Sequence, residues 1–206
     1  MKKKVLIVIS ITLVIIITFG VIAYIKIMNP FNVGIAPLTI QNGHSETGKR
    51  LEITFSYQKQ RMVASSQYAF WIQDMDGNYI DTVYVTQWTA QGGFRYRPLS
   101  ITQWVAAANP QKKDQSEIDA ISGATPSSGD YKIVWDFTDR SGNPVTESQY
   151  KFFFEGTMNS EDNVIFYGII DISNEPWEYI PTPSYCLHDS EYKNMLTNVK
   201  VAFFPG

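Results

Sequence analysis

The chain has 206 residues, 44% hydrophobic and 18% charged, with no low-complexity tract, which suits one globular domain plus an appendage. Its first thirty residues hold four of the 17 basic side chains and none of the 20 acidic ones, so the remainder carries a net charge of −7; an overall field of that sign excludes general attraction to nucleic acid or anionic lipid. The single cysteine, Cys186, excludes an internal disulfide, so a domain of this length must hold together by its core alone.

The N-terminus reads MKKKVLIVISITLVIIITFGVIAYIKIMN, with Lys2, Lys3 and Lys4 followed by an uncharged, largely apolar run from Val5 to Ile25. Such a run reaches about 30 Å as a helix, the thickness of a bilayer core, and satisfies its own backbone hydrogen bonds there. It is too long for a signal peptide and meets Lys26 with no A-x-A cleavage pattern; no cysteine at its end invites lipidation. The pattern predicts a cytoplasmic basic segment at 1–4, a transmembrane anchor at 5–27 and everything beyond it outside the cell. Residues 28–48, with two prolines, three glycines and little periodicity, read as a stalk, and 49–206 as the extracytoplasmic domain.

From Arg50 the pattern turns β. RLEITFSYQ points Leu51, Ile53 and Phe55 to one face and Glu52, Thr54 and Ser56 to the other. Tyr68–Gln73 and Tyr79–Val85 read as a hairpin closed by Asp74-Met-Asp-Gly-Asn78. In PLSITQWVAAANP, Ser100 and Gln103 fit a capping box, Ile101, Trp104 and Val105 share a helical face, and Pro110 stops the helix. QKKDQSE reads as an exposed charged loop. A second hairpin is expected from DYKIVWDF and VTESQYKFFFEG across TDRSGNP, and two more strands from NVIFYGIIDI and NVKVAFFPG. Many short strands with Asp/Gly/Asn turns and no alternating helices predict an all-β sandwich with one short helix.

Three runs carry a resemblance: ASSQYAFWIQDMDGNYIDTVYVT, FRYRPLSITQWV and DAISGATPSSGDYKIVWDFTDRSGNPV. Over roughly Leu51 to Ile170 they resemble the bacterial domain of unknown function 2271, a family with no established reaction. The resemblance implies an exported protein, sometimes encoded beside peptidase-propeptide-like membrane proteins and flavin transferases. The expected second hairpin is also similar to the immunoglobulin-like module of flagellar hook-capping proteins, through Trp135, Asp136, Asp139, Gly142 and Pro144. That similarity makes the expected sandwich immunoglobulin-like.

Asp119, Ser122, Gly123, Ala124 and Thr125 fit the pattern D-x-x-[ST]-G-A-[TS], which in flavin-carrying domains of sodium-pumping quinone oxidoreductases marks where a transferase joins FMN to the last hydroxyl by a phosphoester. Gly123 and Ala124 would leave room for a bulky donor, and backbone N–H groups could hold phosphate oxygens. The competing reading is a turn. Those domains continue into a helix, whereas here Pro126-Ser-Ser-Gly129 leads into a strand, Pro126 restricting Thr125 to extended backbone. If FMN is attached, Trp88, Tyr96 and Trp104 are candidates for a shelf under its ring and Arg97 for its phosphate; core packing is the plainer role for the tryptophans.

Weaker patterns point elsewhere. Asp74, Asp76 and Asn78 begin like a calcium loop but lack its later ligands; Asp136 and Asp139 read as turn formers. Cys186, His188 and Asp189 are adjacent in sequence, which is poor evidence for a nucleophile and base, and two histidines with one cysteine argue against zinc. The expectation is therefore a non-catalytic accessory or binding module, held in the bilayer by its N-terminal helix, with an envelope protein as partner and no nucleic acid, resident metal or catalytic residue. The alternative is a covalent FMN carrier served by a flavin transferase.

Overall fold

The computed structural model describes residues 37–40, 45, 47–59, 66–125, 127–157, 163–186 and 195–206. The expected anchor at 5–27, most of the stalk, His44, Pro126, His188 and Asp189 lie outside the described residues. Among those described, no helix is long and apolar enough to cross a membrane.

The fold is mostly β, in two facing sheets. Sheet A has the order β1-β6-β2-β11-β9, made of β1 (Leu38–Ile40), β2 (Arg50–Tyr57), β6 (Gly129–Trp135), β9 (Trp177–Tyr179) and β11 (Leu196–Phe204). Sheet B has the order β10-β8-β7-β3-β4-β5, made of β3 (Tyr68–Gln73), β4 (Tyr79–Thr86), β5 (Ser122–Gly123), β7 (Gln149–Thr157), β8 (Asn163–Asp171) and β10 (Ser184–Tyr185). Strand β2 alternates as its sequence demands, with Leu51, Ile53, Phe55 and Tyr57 buried between the sheets. The first hairpin forms as expected. Asp74 Oδ1 accepts from Asn78 N at 2.8 Å, and Gly77 takes a φ of 91° that side-chain-bearing residues rarely adopt.

Four expectations change. The expected second hairpin does not pair: β6 lies between β1 and β2 in sheet A, while β7 lies between β3 and β8 in sheet B. The chain leaves sheet A at Phe137, whose φ of 60° is unusual for a bulky residue and whose ring packs 4.3 Å from that of Trp135. TDRSGNP thus joins two sheets, and its Asp139–Asn143 loop repeats the Asp74–Asn78 geometry, with Asn143 N donating to Asp139 Oδ1 at 2.9 Å. The immunoglobulin-like expectation holds only as two facing sheets. That fold is built of antiparallel sheets, whereas here β1 pairs with β6 and β5 with β4 in parallel. Within the expected stalk, Leu38–Ile40 forms β1, parallel to β6.

The fourth change is a third layer. Beyond β4 the chain runs through a π-helical turn (Thr89–Gly93), α1 (Phe94–Tyr96), α2 (Thr102–Ala108), a 3-10 turn (Pro110–Lys112) and α3 (Gln115–Ile121). QKKDQSE, read as a loop, opens α3, with Asp114 and Glu117 forming a reciprocal capping box. Ala90, Phe94, Trp104, Ile118 and Ile121 pack on the outer face of sheet B against Trp71 and Val85. Both faces of β3 are therefore buried: Tyr68, Phe70 and Ile72 against sheet A, and Ala69 and Trp71 under the helices. Ser100 does not cap α2. Its carbonyl accepts from Thr157 Oγ1 at 2.6 Å, and the α2 N-terminus is instead met by Glu155 of β7, whose Oε2 accepts from Trp104 N at 2.9 Å.

Candidate functional site

The flavin-type motif sits where the helical layer returns to sheet B. Asp119 lies on α3, exposed, its Oδ1 accepting from Gln115 Nε2 at 2.7 Å. The chain then turns extended, and Ser122 and Gly123 pair in parallel with Val85 and Thr86 of β4. Parallel neighbours need a crossover of a dozen residues or more, which the helical layer supplies.

Two tyrosines hold the loop at its ends. Tyr84 O–H donates to the carbonyls of Ala124 (2.9 Å) and Gly123 (3.3 Å), and Tyr131 O–H donates to Ser127 O at 2.7 Å. Between these points Thr125 is exposed. A side chain at position 123 would put its Cβ 2.7 Å from the Tyr84 ring, so packing alone requires Gly123. Beneath the loop, Tyr57, Tyr68, Tyr84 and Tyr131 line one end of the inter-sheet core. Burial raises the pKa of all four above the ordinary phenol value, which keeps them neutral.

The expected shelf residues divide. Trp104 is fully buried and donates from Nε1 to Thr82 Oγ1 at 2.9 Å, so it is a core residue that no ring outside the fold can reach. Trp88 and Tyr96 are 39% and 83% exposed and stack with centroids 6.4 Å apart. The Arg97 guanidinium lies 5.5 Å from the Trp88 ring. Because Thr86 pairs with Gly123, this cluster begins two residues beyond β4, the strand beside the motif.

The remaining candidates are accounted for locally. Asp136 accepts from Thr138 Oγ1 at 2.6 Å and from Ser45 N at 3.0 Å. Asp139 accepts from the backbone of Ser141 and Asn143, contacts that hold its carboxyl below the usual range. Cys186 is exposed, and its backbone N–H donates to Asn163 O at 2.9 Å. Among the described residues no group of three His, Cys, Asp or Glu side chains could hold a metal ion.

Two features escaped the sequence. Glu155 is buried on β7, where Oε1 accepts from Asn163 Nδ2 (3.0 Å) and Gln103 N (3.4 Å) while Oε2 serves Trp104. Burial pushes its pKa up to about 7 against the opposing pull of those two backbone N–H groups. Arg140, in the crossing loop, pairs with buried Asp81 at 3.3 Å and donates to the Glu117 carbonyl at 2.6 Å, tying that loop to α3. A lone Glu among the aromatics of QYKFFFEG was the only local hint of the first; the second joins segments far apart in sequence.

The pattern of the family described as predicted periplasmic protein (DUF2271) matches residues 49–179. The chain belongs to that family. No curated protein and no solved structure matches it. The matched span of this DUF2271 chain begins beside β2, ends with β9, and holds the motif loop and the whole helical layer. The family's description is that of an exported, periplasmic protein.

Proposed function

We propose that the chain is a membrane-anchored, extracytoplasmic, non-catalytic accessory or binding module of a cell-envelope system. The observation that carries this reading is an open aromatic ladder on the outer face of sheet B. Trp71, Phe153 and Tyr167 are direct cross-strand neighbours on β3, β7 and β8, with rings stacked at 5.1 and 6.3 Å. The ladder starts under the helices and emerges at Tyr167, 58% exposed, beside Ile169, 51% exposed. Aromatic and apolar groups set on a rigid sheet suit recognition of a partner protein. The charge-free run from Val5 to Ile25 behind three lysines supports the anchor.

A photo-crosslinking amino acid at position 167 in cells should capture one defined envelope protein, and Ile169→Glu should abolish that product. Capture that is equally strong from position 197 would remove the reading. The anchor is checked separately: a C-terminal tag should be protease-accessible in intact cells or spheroplasts, and a tag protected until lysis reverses the topology.

A second reading, a covalent FMN carrier modified at Thr125, is favoured by one observation: the acceptor residue is exposed on a loop held at both ends. The residues fit the group only in part, since Tyr84 fills the space that Gly123 leaves. Attached FMN would supply one- and two-electron transfer at the outer membrane face. Coexpression with a flavin transferase should give fluorescence that survives denaturing electrophoresis and disappears in Thr125→Ala; a colourless protein under those conditions removes this reading.

A further inference from the structure

The charge of this chain is unevenly placed. Between Asp81 and Asp114 there is no acidic residue, yet Arg95, Arg97, Lys112 and Lys113 all fall there, while the rest of residues 31–206 hold nine basic and 20 acidic side chains. That basic stretch is most of the helical layer. The large apolar side chains that this layer exposes all fall within residues 88–99, here called its tip: Trp88 (39% exposed), Tyr96 (83%) and Leu99 (59%), with Arg95 and Pro98 exposed among them. Gly93 leaves room for the Trp88 ring to lie against its backbone, where an added Cβ would sit 2.2 Å from Cε3. The Arg95 and Arg97 guanidiniums lie 5.6 and 5.5 Å from the Phe94 and Trp88 rings. The acidic side chains of the neighbouring helix are engaged locally, Asp114 and Glu117 in their capping box and Asp119 with Gln115.

We propose that this tip, formed by Trp88, Arg95, Tyr96, Arg97 and Leu99, docks onto the anionic headgroup surface of a phospholipid bilayer. Tryptophan and tyrosine favour the headgroup level, leucine reaches the acyl boundary, and arginine meets lipid phosphate with paired donors. The acidic remainder is repelled by the same surface, so contact is confined to this one corner. The lipid source rests on the anchored reading above, under which the domain stays within reach of a bilayer. Docked there, the domain would hold a fixed face toward the membrane and present the motif loop beside it.

The test uses the full chain, reconstituted in vesicles of phosphatidylcholine alone or mixed with phosphatidylglycerol. An environment-sensitive fluorophore is placed on Tyr96→Cys in a Cys186→Ser background, with Ile180→Cys as the control position. The expected result is a blue shift and protection from aqueous iodide at position 96 only, only with phosphatidylglycerol, and reversed by high salt. Arg95→Glu should lower the docked population by at least about fivefold, the effect of losing one basic contact at an anionic surface; Arg95→Gln, at the same exposed position, serves if the charge reversal disturbs folding. A probe that stays in water in both lipid mixtures overturns the proposal. Protection that ignores lipid charge, or that rises with protein density at fixed lipid, also overturns it, the second result assigning the tip to another copy of the chain. A chain that washes off phosphatidylcholine vesicles has lost its anchor, not its docking tip; docking is then read directly as salt-sensitive flotation with phosphatidylglycerol vesicles.

Discussion

At the scale of single residues, Glu155 joins the sheet to the helical layer through one carboxyl group. It meets three donors, from Gln103, Trp104 and Asn163, at 2.9–3.4 Å. Glu155→Ala would strand buried N–H groups and should cost about 2–3 kcal/mol in urea unfolding, whereas Glu155→Gln keeps an acceptor and should cost less. The pH dependence has a defined sign. With its pKa raised from 4.5 to about 7 by burial, this group contributes stability that is fully present below pH 4.5 and is lost as pH rises through about 7. Unfolding curves across that window should fall more steeply for the wild type than for Glu155→Gln; parallel curves would show that the carboxyl does not titrate there. Gly123 offers a second check. Gly123→Ala drives a methyl into the Tyr84 ring at 2.7 Å and should cost about 1–3 kcal/mol, while Tyr84→Phe, losing only its hydroxyl bonds to the Ala124 and Gly123 carbonyls, should cost about 1 kcal/mol.

At the scale of elements, α3 positions the motif and is itself short, so its ends matter. Asp114 Oδ1 accepts from Glu117 N at 2.9 Å, Glu117 Oε2 accepts from Asp114 N at 2.9 Å, and Arg140 holds the Glu117 carbonyl from another loop. Asp114→Ala should destabilise the helix and speed amide hydrogen exchange across residues 115–121 before it affects β3 or β7. The D-x-x-E spacing of this capping box went unread, because the charged run around it read as an exposed loop. The first hairpin was fully legible because D-x-x-G-N closes strands that are neighbours in the same sheet. The same D-x-x-G-N at Asp139–Asn143 misled, because a turn fixes only local geometry. Strand β6 already has β1 and β2 beside it, and β7 has β3 and β8, so no edge was left for the two to pair.

At the scale of the whole molecule, sheet B is the centre of three layers, with one apolar cluster toward sheet A and another toward the helices. Phe154→Ala in the first should cost about 3–5 kcal/mol, seen as a lower denaturation midpoint. Trp104→Ala in the second should cost as much or unfold the helical layer first, an early loss of protection over 102–121 that hydrogen exchange would separate from global unfolding.

The sequence by itself determined the strand periods, the Asx-type turns, the family and the candidate motif, because each depends on spacing within a few residues. Tertiary structure decided what lies opposite what. It placed TDRSGNP between sheets, buried YAFWIQ on both faces, and sent Trp104 inward while leaving Trp88 and Tyr96 open. It also gathered the basic residues of 82–113 into one layer on an acidic domain. Burial and charge of that kind arise from which strands share a sheet, and hydrogen-bond pairing across the chain settles that after local pattern has done what it can.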